Sequence, residues 1–289
     1  MSAPLPDIEL ERIEVDLFVL ALKRRYGFDF SQYAPASLTR RVRQLMHVHH
    51  CDSISALTAR LLHEADFVTQ VVQGLSVPVS EMFRDPPVFR ALREQVLPVL
   101  ASYPRINVWQ AGCANGQEVY SLAILLEEAG LYERSHIFAT DFNAAALKRA
   151  QEGIYPAKDA QQWSRKYIEA GGSQSLSSYY SARYDFIRLH ERLRQNITFT
   201  NHNLVTDKVF CEAQLVLCRN VLIYYSNPLQ DRTLALFRDS LVRGGYLCLG
   251  LRESLDFAPA AADFTAIDAS LRLYRRKLQP ASGRPDALA

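Results

Sequence analysis

The 289-residue sequence has no long apolar run, no cysteine pairing pattern and almost no net charge. Its best apolar run, LFVLAL at residues 17–22, is far short of the ~20 residues a spanning helix needs. The N-terminus, MSAPLPDIELERIE, is acidic where a signal peptide would be basic. The expectation is a cytoplasmic protein without direct membrane insertion. Its five cysteines, Cys51, Cys113, Cys211, Cys218 and Cys248, are odd in number and form no C-x-x-C pair, which speaks for free thiols in a reducing compartment. His49, His50 and Cys51 are adjacent and cannot easily close one tetrahedral site, so no metal is expected. A formal charge of +2, with 48% hydrophobic and 22% charged residues, excludes a disordered tail, a collagen-like fibre and an acidic solvating segment. A chain of this length buries roughly 70% or more of its unfolded surface, enough to hold together without metal or disulfide.

What is present divides near residue 98. Residues 8–97 read as helical: Ile13, Leu17, Leu20 and Ala21 recur at helix spacing, as do Leu38, Val42, Leu45 and Met46, and then Ile54, Leu57, Leu61 and Leu62. Asp52 or Ser53 would cap the third helix, while Gly27 and Gly74 punctuate the others. From Ile106 the texture becomes strand, helix, strand, in INVWQAG, GQEVYSLAILLEEAG and HIFATDF. The alternation returns in ITFTNHNL, AQLVLCRNVLIYY, a helix over about residues 228–242, GGYLCLG and LRLYRRKL. Five or six such strands predict an α/β, doubly wound, Rossmann-like sheet behind an all-α N-terminal domain. Residues 153–196 interrupt it with Gly171-Gly172, a serine cluster and Tyr179, Tyr180 and Tyr184, and read as an insertion holding a short antiparallel element. The expected organisation is a helical domain over 8–98, a sheet domain over 99–278 and a disordered tail over 279–289.

Chemistry first shows in Ala111-Gly112-Cys113-Ala114-Asn115-Gly116, where glycines between a strand and a helix let backbone N–H groups approach a ligand. A plain tight turn would look similar, and the G-x-G-x-x-G spacing is absent. Asp141 closes the next strand, where an acid in such sheets accepts hydrogen bonds from a ribose diol; it is also placed to cap the helix that follows. Without a third glycine or a phosphate-binding lysine, the pattern suits a nucleoside lacking phosphates, such as S-adenosylmethionine, rather than NAD. Three further polar clusters fall at strand ends: Asn203-Leu204, Arg219-Asn220 with Tyr224-Tyr225, and Arg252-Glu253-Ser254. Carboxyl ends of parallel strands line the ligand crevice, although each cluster could equally serve a turn.

These words together resemble the CheR family of chemotaxis-receptor methyltransferases. The likeness runs over residues 18–276 and is carried by SEMFRDP (80–86), AGCANGQEVYSLA (111–123), ATDFN (139–143), EGIY (152–155), NL (203–204) and CRNVLIYY (218–225). The resemblance implies a seven-stranded methyltransferase domain with an inserted β-subdomain and an all-α domain before it. It implies S-adenosyl-L-methionine as methyl donor, S-adenosyl-L-homocysteine as product, and glutamate carboxylates on chemoreceptor helices as acceptors. Ser80, Arg84, Glu118, Asp141, Asn203, Leu204, Arg219 and Asn220 match family positions around the cofactor, beside Gly112 and Gly116 of the turn. Arg84 and Tyr224 match positions near the transferred methyl, and a receptor tail peptide would dock on the β-subdomain. The chain departs from the pattern at Pro78, where the family often has Asn, at Ser80 for Thr, and at Gln117, which replaces the first acid of a Glu-Glu pair while Glu118 retains the second.

The reaction is chemically undemanding. A glutamate carboxylate, pKa ~4.3, is ionised at neutral pH and needs no general base. Arg84 can hold it by two parallel N–H groups, and Tyr224 can donate to it or simply pack at a strand end. Residues 17–60 hold seven lysines and arginines against two aspartates, among them Arg40, Arg41 and Arg43 on one predicted helix. That run is either a solvated helix face or a patch that attracts an acidic receptor helix to a monomeric enzyme. Two alternatives stand beside this reading. One is a catalytically silent S-adenosylmethionine-binding regulatory module, supported by Pro78 and Gln117. The other is a methyltransferase of another substrate class, against which the nucleic-acid-modifying [ND]-P-P-[YF] word is missing, so no nucleic-acid partner is expected.

Overall fold

The computed structural model describes residues 7–76 and 79–279. Pro78 and residues 280–289 of the expected tail lie outside them. Contacts separate the described chain into two compact units, residues 7–76 with Ile223–Gln230, and residues 79–222 with 231–279.

The first unit is helical: α1 (Asp7–Tyr26), α2 (Pro35–Val48), α3 (Ile54–His63) and α4 (Phe67–Leu75). Helix α1 opens on Asp7 and Glu9 and closes on Lys23, Arg24 and Arg25, charges that complement its dipole. Gly27, at φ 79°, ends it. Pro35 starts α2, and the Ser53 hydroxyl caps α3 by accepting from Ala56 N–H at 3.0 Å. The buried stripe of α1 is Val15, Phe18, Val19 and Leu22, whereas Ile13, Leu17 and Leu20, which give the helix its sequence periodicity, are exposed.

The second unit begins with α5 (Pro86–Ala91), a π-turn over Leu92–Val96 and α6 (Leu97–Leu100). Pro98 lacks an N–H and would crowd the carbonyl four residues earlier, and the wide turn just before it relieves that clash. There follow β1 (Ile106–Ala111), α7 (Gln117–Glu128), β2 (Ser135–Asp141), α8 (Ala144–Glu152), β3 (Ile154–Pro156), α9 (Ala160–Glu169), β4 (Tyr180–Arg183) and β5 (Phe186–Leu189). The chain continues through β6 (Ile197–Asn201), β7 (Ala213–Cys218), α10 (Asn227–Ser240), β8 (Leu241–Leu249), β9 (Phe264–Asp268) and β10 (Leu273–Arg276).

Seven strands form one sheet in the order β6-β2-β1-β7-β8-β10-β9, and β3-β5-β4 form a second, antiparallel one. Strands β6, β2, β1, β7 and β8 are parallel, and β10 alone runs against its neighbours. The central strands β1 and β7 are buried almost throughout, as parallel strands covered on both faces must be. Chain order reverses at β1, so the topological switch point lies where the glycine turn leaves it. The small sheet occupies the expected insertion, which also contains the ten-residue α9.

Two boundaries differ from the sequence pattern. The helical stretch Pro86–Leu100, expected in the N-terminal domain, joins the sheet unit because Val88, Phe89, Leu92, Val96 and Leu97 enter its core. The short segment Ile223–Gln230, expected in the sheet domain, groups with the helices.

Candidate active site

The glycine turn after β1 bends through three left-handed residues, Gly112 (φ 69°), Ala114 (φ 49°) and Gly116 (φ 84°). A methyl at Gly112 would run into Val221, and one at Gly116 would come within 2.6 Å of the Ala150 Cβ. Asp141 locks this turn to the end of β2. Its Oδ2 accepts from Ala114 N–H and its Oδ1 from Asn143 N–H, each at 2.9 Å. Burial raises its pKa from the ordinary aspartate value, and backbone N–H donors from Asn143, Ala114 and Phe142 partly offset that. Asp141 is not the helix cap that its position also allowed. That role belongs to Asn143, whose side chain accepts from Ala146 N–H at 3.0 Å.

Arg219, just past β7, has no side-chain surface exposed. It donates to Glu118 Oε2 at 2.5 Å, to Asp85 Oδ2 at 2.6 Å and to the Arg84 carbonyl at 3.0 Å. Glu118 Oε1 accepts from Gln110 Nε2 at 3.0 Å. The corner that carries Arg84 is strained: Phe83 and Asp85, on either side of it, both take positive φ, at 51° and 55°. Arg219 holds that corner through the Arg84 carbonyl and the Asp85 carboxylate, and Ser121 Oγ accepts from Phe83 N–H at 2.9 Å. The Arg84 side chain is 25% exposed and lies 4.0 Å from Glu81. Ser80 Oγ donates to Gln117 Oε1 at 2.7 Å, so the residue that replaces the family's first acid binds the hydroxyl that replaces its threonine. Arg219 and Glu118, expected around the cofactor, thus support the first turn of α7 and the Arg84 corner through each other.

The sequence marked Glu253 only as one of a polar cluster, and the structure gives it a specific task. Its buried carboxylate accepts from the N–H groups of Asn220, Val221, Leu222 and Gly250, at 3.1, 2.8, 2.7 and 2.6 Å. Burial raises its pKa against those four bonds. The carboxylate holds Asn220 in a left-handed conformation at φ 61° and seats Val221 against Gly112. No local sequence signal gives this away, since the four donors come from two strand ends some thirty residues apart.

A nucleoside donor fits these residues. Gln110 Oε1, on β1, and Asn220 Oδ1, just past the end of the adjacent β7, are buried acceptors with no hydrogen-bond partner among the described residues. Amino and hydroxyl groups of a bound nucleoside would satisfy them, while an anionic phosphate would not. Asn203 and Leu204 follow β6, which pairs with β2 up to Asp141 opposite Asn201. Asn203 Oδ1 accepts from Val205 N–H at 3.0 Å in a local turn, and Leu204 is buried. Among the described residues no group of three or more His, Cys, Asp or Glu could hold a metal ion. No described helix is long and apolar enough to cross a membrane.

The remaining expected residues belong to the helical unit. Arg40 is exposed on α2. Arg43 is exposed and paired with Glu11 of α1. Arg41 is 8% exposed and turned inward, so it does not add to a solvent-facing patch. Tyr224 lies in the segment that groups with these helices, beneath the Arg41 guanidinium.

Comparison with known proteins adds the following. The sequence profile described as "CheR methyltransferase, SAM binding domain" matches residues 78–270, and "CheR methyltransferase, all-alpha domain" matches residues 13–76. The chain is 45% identical over 264 residues to "Putative methyltransferase Cher3" of Pseudomonas putida, which covers 91% of this chain and 97% of that protein. It is 29% identical over 253 residues to the "Chemotaxis protein methyltransferase" of Listeria monocytogenes, covering 87% and 92% respectively. It is also 26% identical over 281 residues to "Probable biofilm formation methyltransferase WspC" of Pseudomonas aeruginosa, covering 95% and 65%. Among solved structures, magnesium protoporphyrin IX methyltransferase (ChlM) from Synechocystis PCC 6803 with bound SAM aligns at a TM-score of 0.38 with 15% identity, over 66% of this chain and 76% of that one.

Proposed function

This chain belongs to the CheR methyltransferase family, with that family's S-adenosylmethionine-binding domain, and from there we propose that it esterifies glutamate side chains on chemoreceptor helices. One observation carries the cofactor half of this reading. Asp141 closes the glycine turn while two buried acceptors, Gln110 Oε1 and Asn220 Oδ1, stand at the same sheet edge without partners. S-adenosylmethionine supplies a methyl group made electrophilic by its sulfonium. Asp141, the turn at Gly112 and Gly116, Asn220, and the Asn203-Leu204 loop are the residues that would hold it.

The acceptor half rests on what the chain does not have to do. A glutamate carboxylate arrives already ionised, so the site needs orientation rather than a base. Arg84, on a corner held by Arg219, would orient that carboxylate through a planar pair of N–H groups. It should hold the anion without quenching it, because negative charge is lost in the transition state. The resemblance to the family also assigns Tyr224 to the neighbourhood of the transferred methyl, where its hydroxyl would donate to the acceptor carboxylate. Relatives named for chemotaxis support a receptor as the acceptor, and the relative named for biofilm formation supports testing receptors of surface-growth pathways as well. The antiparallel order β3-β5-β4 leaves β4 at an edge, a suitable ledge for an extended receptor tail.

The test is a transfer assay with labelled S-adenosylmethionine and purified receptor cytoplasmic fragments. Label lost on treatment with alkali marks a methyl ester. Alkali-stable label, or label on nucleic acid alone, would overturn the reading. Calorimetric binding of S-adenosylhomocysteine with no transfer to any receptor would favour the silent regulatory module.

A further inference from the structure

The segment after β7 is built into the helical unit by main-chain bonds. Ala34 N–H donates to the Tyr224 carbonyl at 2.8 Å, Ser226 N–H donates to the Gln32 carbonyl at 2.8 Å, and Tyr33 and Tyr225 form an antiparallel bridge. The rings of Tyr33 and Tyr225 meet edge-on with centroids 5.2 Å apart. The segment is therefore pinned on both sides of Tyr224, and what remains to be fixed is the Tyr224 ring.

Arg41 supplies that. Its guanidinium carbon sits 4.8 Å from the centre of the Tyr224 ring, and its Nη1 donates to the Leu75 carbonyl at 3.0 Å. Nε reaches Ser37 Oγ at 3.5 Å, one turn back along α2. Burial pushes the Arg41 pKa below its ordinary value, and Tyr224 counteracts this through its hydroxyl. An arginine held in this way does not offer its charge to a passing receptor. Reaching solvent would mean giving up the Leu75 carbonyl, which ends α4, and the ring together. A lysine would keep the charge but not the planar fork that reaches Ser37, the Leu75 carbonyl and the ring together.

We propose that Arg41 is a positioning residue for Tyr224 and not part of the receptor-docking charge. This rests on the reading that Tyr224 serves the transfer. The same stretch of α2 then divides its arginines by direction: Arg40 and Arg43 outward, Arg41 inward.

Arg41→Met keeps the aliphatic stem and removes the planar cation, and Tyr224→Ala removes the ring. Initial rates with the full chain, labelled S-adenosylmethionine and a purified chemoreceptor cytoplasmic fragment should show kcat for Arg41→Met reduced about tenfold or more, with acceptor KM within about a factor of two. The double variant should be no slower than Tyr224→Ala alone, since both remove one device. Arg41→Lys should restore little. A raised acceptor KM with kcat intact, and a weaker salt dependence of kcat/KM, would make Arg41 a docking residue and overturn the proposal. Wild-type kcat in Tyr224→Ala would instead remove the premise, leaving Arg41 to be judged by hydrogen exchange. Amide exchange over residues 223–230 should be faster in Arg41→Met at unchanged exchange in α1 and α3; unaltered exchange there would also overturn it.

Discussion

At Asp141 one carboxylate joins the two turns that a nucleoside would lie across, and its protonation decides whether it can. Its pKa is raised by burial, and only the ionised form accepts from a diol while keeping both backbone donors. Affinity for S-adenosylhomocysteine should therefore be full at neutral pH and fall as pH drops through that raised pKa, starting above the ~3.9 of an ordinary aspartate. Asp141→Asn turns an N–H toward those same donors and should weaken binding by about 10- to 100-fold in calorimetry. Arg84→Ala should chiefly lower kcat, with a much smaller loss of that affinity, because the main role proposed for Arg84 is at the acceptor. Equal binding losses in the two variants would contradict this division. The residue-level roles were unevenly legible. Glycines, Asp141 and Arg84 stood out by type and spacing, but Glu253, Asp85 and the inward turn of Arg41 depend on partners remote in sequence.

Among the elements, α7 is tied to the insertion through a buried acid, Glu128. Glu128 ends α7, where a negative charge opposes the helix dipole. It is compensated by the Arg93 guanidinium at 2.6 Å and by the hydroxyls of Tyr167 and Tyr179. Burial alone would raise its pKa, yet the hydrogen bonds from Tyr167 and Arg93 carry it below the ordinary glutamate value. A depressed carboxylate contributes stability that is complete above its unfolded pKa of ~4.3 and is lost as pH falls through the folded value. Acid should therefore loosen the insertion. Glu128→Ala should do the same at neutral pH, costing about 2 kcal/mol locally and speeding amide exchange over residues 153–196 ahead of the main sheet. Exchange that accelerates equally in both sheets would contradict this local role. Helix α1 shows the limit of periodicity at this scale. Its sequence is apolar on two faces, so the 3.6-residue pattern identifies a helix without deciding which stripe, Ile13-Leu17-Leu20 or Val15-Phe18-Leu22, goes inward.

For the whole molecule, the near-zero net charge conceals an uneven distribution, with a surplus of five positive charges in residues 17–60. If that surplus steers an acidic receptor helix, kcat/KM for the receptor fragment should fall with ionic strength across 0.05–0.3 M, an interval over which screening shortens to about 10 Å and less. Arg40→Glu should raise acceptor KM several-fold and flatten that dependence, while S-adenosylhomocysteine affinity stays as it was; a salt-independent rate in the wild type would remove the steering argument. The sequence by itself determined the class of the sheet, the strand-turn-helix at Gly112, the acid at the end of β2 and the family, because each is a local pattern of residue type and spacing. Only the tertiary structure decided where the units part. Residues 86–100 look like any other helix until their apolar face finds the sheet, and Ile223–Gln230 is joined to the helices by main-chain hydrogen bonds that leave no trace in side-chain type. It likewise decided that Arg219 and Glu118 neutralise each other in the interior, since burial of a charge is a property of its surroundings and not of the residue.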